Sequence, residues 1–122
     1  VSIESSHAQM VHGLAKDGNV IAAEIDGEDA HTLHMAVGIS GESGELLDAI
    51  KKAVIYRKPL DRINVVEELG DLEFYMEGLR QGLGITREET LDANMKKLGV
   101  RYKGFDYSDE QAHNRADKKD GE

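Results

Sequence analysis

Glu42 and Glu45 stand three residues apart, and Glu68 and Asp71 repeat that spacing further along the chain. Three residues make nearly one helical turn, so each pair projects two carboxylates toward the same side of a helix. Both pairs border apolar rows. Ile39, Glu42, Leu46, Ala49 and Ala53 form one row in which Glu42 is the lone charge, and Glu68 and Asp71 flank the row Val65, Leu69, Leu72. Four like charges at the edge of a core repel one another and lose hydration. A divalent cation offsets both penalties, and all-oxygen ligation suits Mg²⁺ or Mn²⁺. The alternative is a solvated acidic helix face, where runs of charge usually lie. Glu67 and Glu73, beside the second pair, fit that alternative better.

The elements that must position these carboxylates are helical. Val65, Leu69, Leu72, Met76, Leu79 and Leu83 recur in alternating steps of four and three, the period of an apolar stripe along one helix. Pro59 stops the preceding element, Asp61 is the expected N-cap, and Gly82 and Gly84 end the helix. Thr86 with Glu89 three residues later predicts a capping box for a further helix through Leu91, Met95 and Leu98. A long helix is expected from about Asp29 to Arg57, and a shorter one over Ser5–Leu14, ending near Gly18. Val20–Ile25 reads as either strand or helix. The short Arg57–Asp61 link predicts antiparallel packing of the two carboxylate-bearing helices. Gly38, Gly41 and Gly44 lie inside the first of them, each at a cost of about 1 kcal/mol against Ala. Tight helix packing or close approach of a ligand would offset that cost. With no convincing alternation, the fold class is all-α, with four or five helices and short connections.

Composition narrows the function. The chain of 122 residues has the length of one domain, with 15 Lys+Arg against 24 Asp+Glu and a net charge of −9. Such a surface is a poor partner for nucleic acid, whose phosphates need a basic face. A phosphorylated small molecule remains open where a metal supplies positive charge. The absence of cysteine excludes disulfides, zinc thiolates and thiol nucleophiles. No apolar run approaches the roughly 18 residues of a membrane helix, and no signal-peptide pattern opens the chain. A cytoplasmic protein is expected. From Asp106 to Glu122 there is no Leu, Ile, Val or Met, so the chain divides into a domain over 1–105 and a polar arm, tail or disordered segment over 106–122.

The motif Gly-Glu-Ser-Gly-Glu-Leu at 41–46, followed by Glu-Glu-Leu-Gly-Asp-Leu at 67–72, resembles the ExxE and ExxD signature of MazG-type nucleoside triphosphate pyrophosphohydrolases. The 22 residues between Glu45 and Glu68 lie within the usual gap of that family. The likeness continues through Asn-Met-Lys-Lys-Leu at 94–98 and Arg101-Tyr102, and Gly104-Phe105 and Asn114-Arg115 are similar to the single-domain, often phage-encoded branch. It covers roughly His31 to Arg115. The resemblance implies an all-α bundle completed by dimerisation, as a homodimer or homotetramer with the cleft near the subunit contact. It implies hydrolysis of a (d)NTP to (d)NMP and pyrophosphate, in host cytoplasm if phage-encoded. It makes Glu42, Glu45, Glu68 and Asp71 the metal-binding and catalytic set, and Lys97 and Arg101 the phosphate contacts, with Asn94 on the same face. Lys51 and Lys52 are weaker candidates. His34, two turns before Glu42, and Arg115 are candidates for the nucleotide pocket. On residue type alone, Lys97 and Arg101 are also ordinary C-terminal helix charges.

Two other readings compete. Glu4/His7, Glu28/His31 and Glu110/His113 are Glu-x-x-His pairs, the motif of a ferritin-like di-metal bundle, but none sits on an apolar stripe. A non-catalytic helical dimerisation module would need only the 65–83 stripe. Tyr102, Phe105 and Tyr107 cluster beyond the helical pattern. They would either lay the tail across a neighbour's cleft or cover the end of the last helix.

Overall fold

The computed structural model describes residues 1–118. Its helices are α1 (Ile3–Leu14), α2 (Gly18–Glu24), α3 (Gly27–Val54), α4 (Arg62–Leu83) and α5 (Arg87–Arg101). A 3₁₀ turn (Lys103–Phe105), α6 (Asp109–Asn114) and a second 3₁₀ turn (Ala116–Lys118) complete the tail. No strand occurs among the described residues, and no helix is long and apolar enough to cross a membrane. The fold class is all-α.

Local chemistry sets the boundaries. Asp61 accepts from the Asn64 N–H at 3.0 Å, and Thr86 and Glu89 form the capping box. Gly84 closes α4 in the left-handed conformation, φ 68°. Asp26 and Asp29 form a second capping box, so α3 starts two residues earlier than its apolar pattern suggests. It ends earlier too: Arg57 adopts φ 55°, and the chain turns before Pro59. Gly18 opens a helix rather than ending one, because the Asp17 carboxylate accepts from the Asn19 N–H at 2.8 Å. Val20–Ile25 is therefore mostly helical. The described part of the tail is ordered into short helical turns, and residues 119–122 lie outside the described residues.

The main packing is an antiparallel pair, α3 on α4. Small residues bring the two backbones close. A Cβ at Gly38 would run into the Tyr75 ring, one at Gly78 into Met35, and one at Gly82 would lie 2.6 Å from the His31 ring. His31 Nε2 also donates to the Gly78 carbonyl at 2.9 Å, tying the start of α3 to the last third of α4. Met35 (6% exposed) and Ala49 (8%) lie in this seam. Outside it, Leu33, Val37 and Leu47 of α3 and Ile63, Val66 and Phe74 of α4 are exposed. α5 leaves the pair at the Gly84 turn and packs mainly against the tail.

Candidate functional site

The seam that buries Met35 and Ala49 also fixes the acidic residues. Glu42 lies one turn beyond Gly38 on α3, and Glu68 and Asp71 precede Tyr75 on α4. Antiparallel packing brings them opposite each other. One oxygen from each of Glu42, Glu68 and Asp71 lies within 4.8 Å of the other two. Among the described residues this is the group of acidic or histidine side chains able to hold a metal ion. Glu42 and Glu68 are half-buried, and Asp71 is exposed. Glu45 stands outside the group but is near enough to repel Glu68. Glu67 and Glu73 face water.

Glu68 shows the strain of this arrangement. Its Oε2 is buried with no hydrogen-bond partner. A hydrogen bond with Glu42, then desolvation, then repulsion from Glu42, Asp71 and Glu45 push its pKa up to about 7. A carboxylate oxygen cannot donate, so the Glu42–Glu68 contact is favourable only while one of the pair holds a proton. Either a proton or a cation satisfies that oxygen, and the donor set is all oxygen. The residues present therefore fit a hard divalent cation.

Asn94, Lys97 and Arg101 are spaced to share one face of α5, a helix whose main contacts are with the tail, and Lys97 and Arg101 lie beside Asp117 there. Asn94 and Lys97 are exposed. Arg101 is engaged: its Nε donates to Asp117 Oδ1 at 2.8 Å and its Nη2 to Oδ2 at 3.3 Å. Arg115 is exposed at the C-cap of α6. His34 is exposed on α3, edge-on to Tyr75 with ring centroids 6.2 Å apart. Lys52 pairs with Asp48 at 3.0 Å, and Lys51 lies over the Tyr56 ring. The two roles of Glu45 and Glu42, equal in the motif, are unequal in space. The Asp117 partner of Arg101 and the His31 tie carried no sequence signal, because each joins residues distant in the chain.

The model of one family, the MazG nucleotide pyrophosphohydrolase domain, matches residues 30–105, which include both acidic pairs and the Asn94–Arg101 face. The chain belongs to this family. No curated protein and no solved structure matches it significantly. Membership implies a small-molecule nucleotide as the substrate of a MazG-type domain and a hydrolase acting on phosphoanhydride bonds. None of the three Glu-x-x-His pairs belongs to the acidic group, and His31 is spent on the Gly78 carbonyl.

Proposed function

We propose that the chain is a metal-dependent nucleoside triphosphate pyrophosphohydrolase, converting a (d)NTP and water to a (d)NMP and pyrophosphate. The observation that carries this reading is the convergence of Glu42, Glu68 and Asp71 around an orphaned carboxylate oxygen. These three, with Glu45 beside them, would hold Mg²⁺ or Mn²⁺. When bound, such an ion supplies charge neutralisation at phosphoryl oxygens and a more acidic water. The chain's own residues supply the rest. Crowding by Glu42, Asp71 and Glu45 makes the ionised Glu68 carboxylate a stronger base than an ordinary one, so an oxygen of this set left free by the cation is suited to accept a proton from the attacking water. Asn94, Lys97 and Arg101, which within one chain lie on α5 beside the tail rather than in the seam, would offer donors to the phosphates in a cleft completed at a subunit contact, where a guanidinium matches two oxygens at once. His34, edge-on to Tyr75, and Arg115 would contribute to the nucleotide pocket.

The reading includes a second copy of the chain. Leu33, Val37, Leu47, Ile63, Val66 and Phe74 are too large and too many to be left in water by a stable domain. Burying them between copies would make a homodimer or homotetramer. It would also give Gly41 and Gly44, which have no side chain or distant backbone within 4 Å, a neighbour to pack against. The test is a panel of the common (d)NTPs with Mg²⁺ or Mn²⁺, scored for pyrophosphate release. Turnover of at least one nucleotide that stops on chelation is expected; no turnover across the panel refutes the reading.

A further inference from the structure

Arg101 ends α5 with its guanidinium turned into the tail rather than toward solvent. Both nitrogens that reach Asp117 do so side by side, one to each carboxylate oxygen. The pair is well shielded: the Arg101 side chain is 17% exposed and that of Asp117 is 5% exposed. Lys97, one turn earlier, adds its charge, and Arg101 and Lys97 together hold Asp117 well on the ionised side. Lys96, Lys97, Val100, Ala116, Asp117 and Lys118 line one cleft of about 350 Å³. A carboxylate on a guanidinium fork presents two oxygens at the places where a phosphate would present two of its own. Arg101 cannot serve both fully at once.

The segment that delivers Asp117 is tied by identifiable polar bonds. Lys103 N–H donates to Gln111 Oε1 at 2.7 Å, and the Ser108 hydroxyl caps α6 at 3.1 Å from the Gln111 N–H. The Tyr102 and Tyr107 rings meet at 5.6 Å. Against these ties, Phe105 (φ 57°) and Arg115 (φ 48°) adopt left-handed backbone that residues with a Cβ disfavour. Both strained residues flank the run that carries the polar ties. Seven of the thirteen residues 106–118 are exposed, while the Asp117 side chain they deliver is not.

We propose that residues 106–118 form a strap that holds Asp117 on Arg101 as a stand-in for a substrate phosphate, so that phosphate binding and strap release are one exchange. This rests on the reading of Arg101 and Lys97 as the phosphate-binding face. A polyphosphate carries more negative charge than one carboxylate, so it wins the fork when present and yields it when released.

The test uses the full chain with a chelator present, so that binding of inorganic tripolyphosphate reports the cationic face alone. Calorimetry compares wild type, Asp117→Asn and Arg101→Gln. Asp117→Asn keeps the shape but removes the competing charge, and is expected to bind tripolyphosphate about tenfold tighter, the lower end of what a hydrogen-bonded charged partner contributes. Arg101→Gln is expected to bind more weakly than wild type. Hydrogen exchange on wild type provides a measurement independent of any variant: amides 108–118 are expected to lose protection when tripolyphosphate saturates the protein. Equal or weaker binding by folded Asp117→Asn, or unchanged or increased tail protection, overturns the strap. If Arg101→Gln weakens binding in those cases, the phosphate-face reading survives without the strap. If Arg101→Gln binds as wild type does, both fall.

Discussion

If Glu68 keeps a proton because Glu42, Asp71 and Glu45 crowd it, then a cation entering the site must expel that proton. Its pKa, raised to about 7 from an ordinary 4.5, sets the size of the effect. One pH unit below the raised value, about nine in ten sites hold the proton, and one unit above it about one in ten do. The apparent affinity for Mg²⁺ or Mn²⁺ should therefore be about tenfold weaker one unit below than its plateau above. Proton release should fall from roughly 0.9 to roughly 0.1 per cation across the same two units. The sign for stability is opposite to that for affinity. Between 4.5 and about 7 the folded chain binds a proton that the unfolded chain does not. The contribution of Glu68 to the metal-free fold is thus full below the ordinary value and is lost as pH rises through about 7. Calorimetry in two buffers of different ionisation enthalpy counts the protons, and a metal-free melt across the window reads the stability. Glu68→Gln is the control: its amide donates to Glu42 permanently, so both pH dependences from this group should vanish. Proton release near zero at the lower pH, or the same release from Glu68→Gln, would refute the reasoning.

Glu42→Gln and Asp71→Asn should each lower turnover by about 100-fold or more, the usual scale for losing a charge that a reacting centre depends on, while circular dichroism stays helical and the metal-free melt is unchanged or higher. Near-normal activity would return that residue to a solvated acidic face. Gly38→Ala should lower the melting temperature, because overpacking against the Tyr75 ring costs about 1–3 kcal/mol and outweighs the roughly 1 kcal/mol gained in helix propensity. Gly41→Ala meets nothing within 4 Å among the described residues and should not lower the melt of the dilute chain; the reverse order would mean that α3 and α4 pack in another register. Leu47→Glu, at an exposed apolar position of α3, should halve the mass seen by light scattering if that face joins two copies, and an unchanged mass would remove the face from the subunit contact.

The helices were legible because their signals are local. The four-three stripe at Val65–Leu83, the Asp61 cap, the Thr86–Glu89 box and the Gly84 stop each act within a turn or two of backbone. α2 was not, since a single Asp17 carboxylate turned a glycine, read as a terminator, into a first helical residue. The acidic site was legible as to its members but not their ranks. Residues three apart on a helix differ in direction by about 60°, so when Glu42 faces the α4 seam Glu45 is carried to its edge. The same drift separates Gly38, which Tyr75 covers, from Gly41 and Gly44, which nothing among the described residues covers. The partner of Arg101 lies 16 residues away through two tight turns, and no pattern in the sequence encodes that distance.

On the proposed reading, a triphosphate must touch both carboxylate-bound cations and free guanidinium groups. Placing Arg101 against Glu68 in one chain would let the two halves neutralise each other and exclude the substrate. The fold keeps them apart: the carboxylates lie in the α3–α4 seam, and the cations lie on α5 beside the tail. Each half is instead neutralised locally. Glu68 is pushed toward its protonated form by Glu42, and Arg101 is matched by Asp117. Neither neutraliser is expensive to remove, because a proton with a pKa of about 7 leaves at physiological pH and the strap is strained at Phe105 and Arg115. Substrate and cation arriving together would replace both, trading a proton for a metal ion on one side and a carboxylate for a phosphate on the other. A lone anion or a lone cation would complete one half of this exchange, and only the two together would complete both.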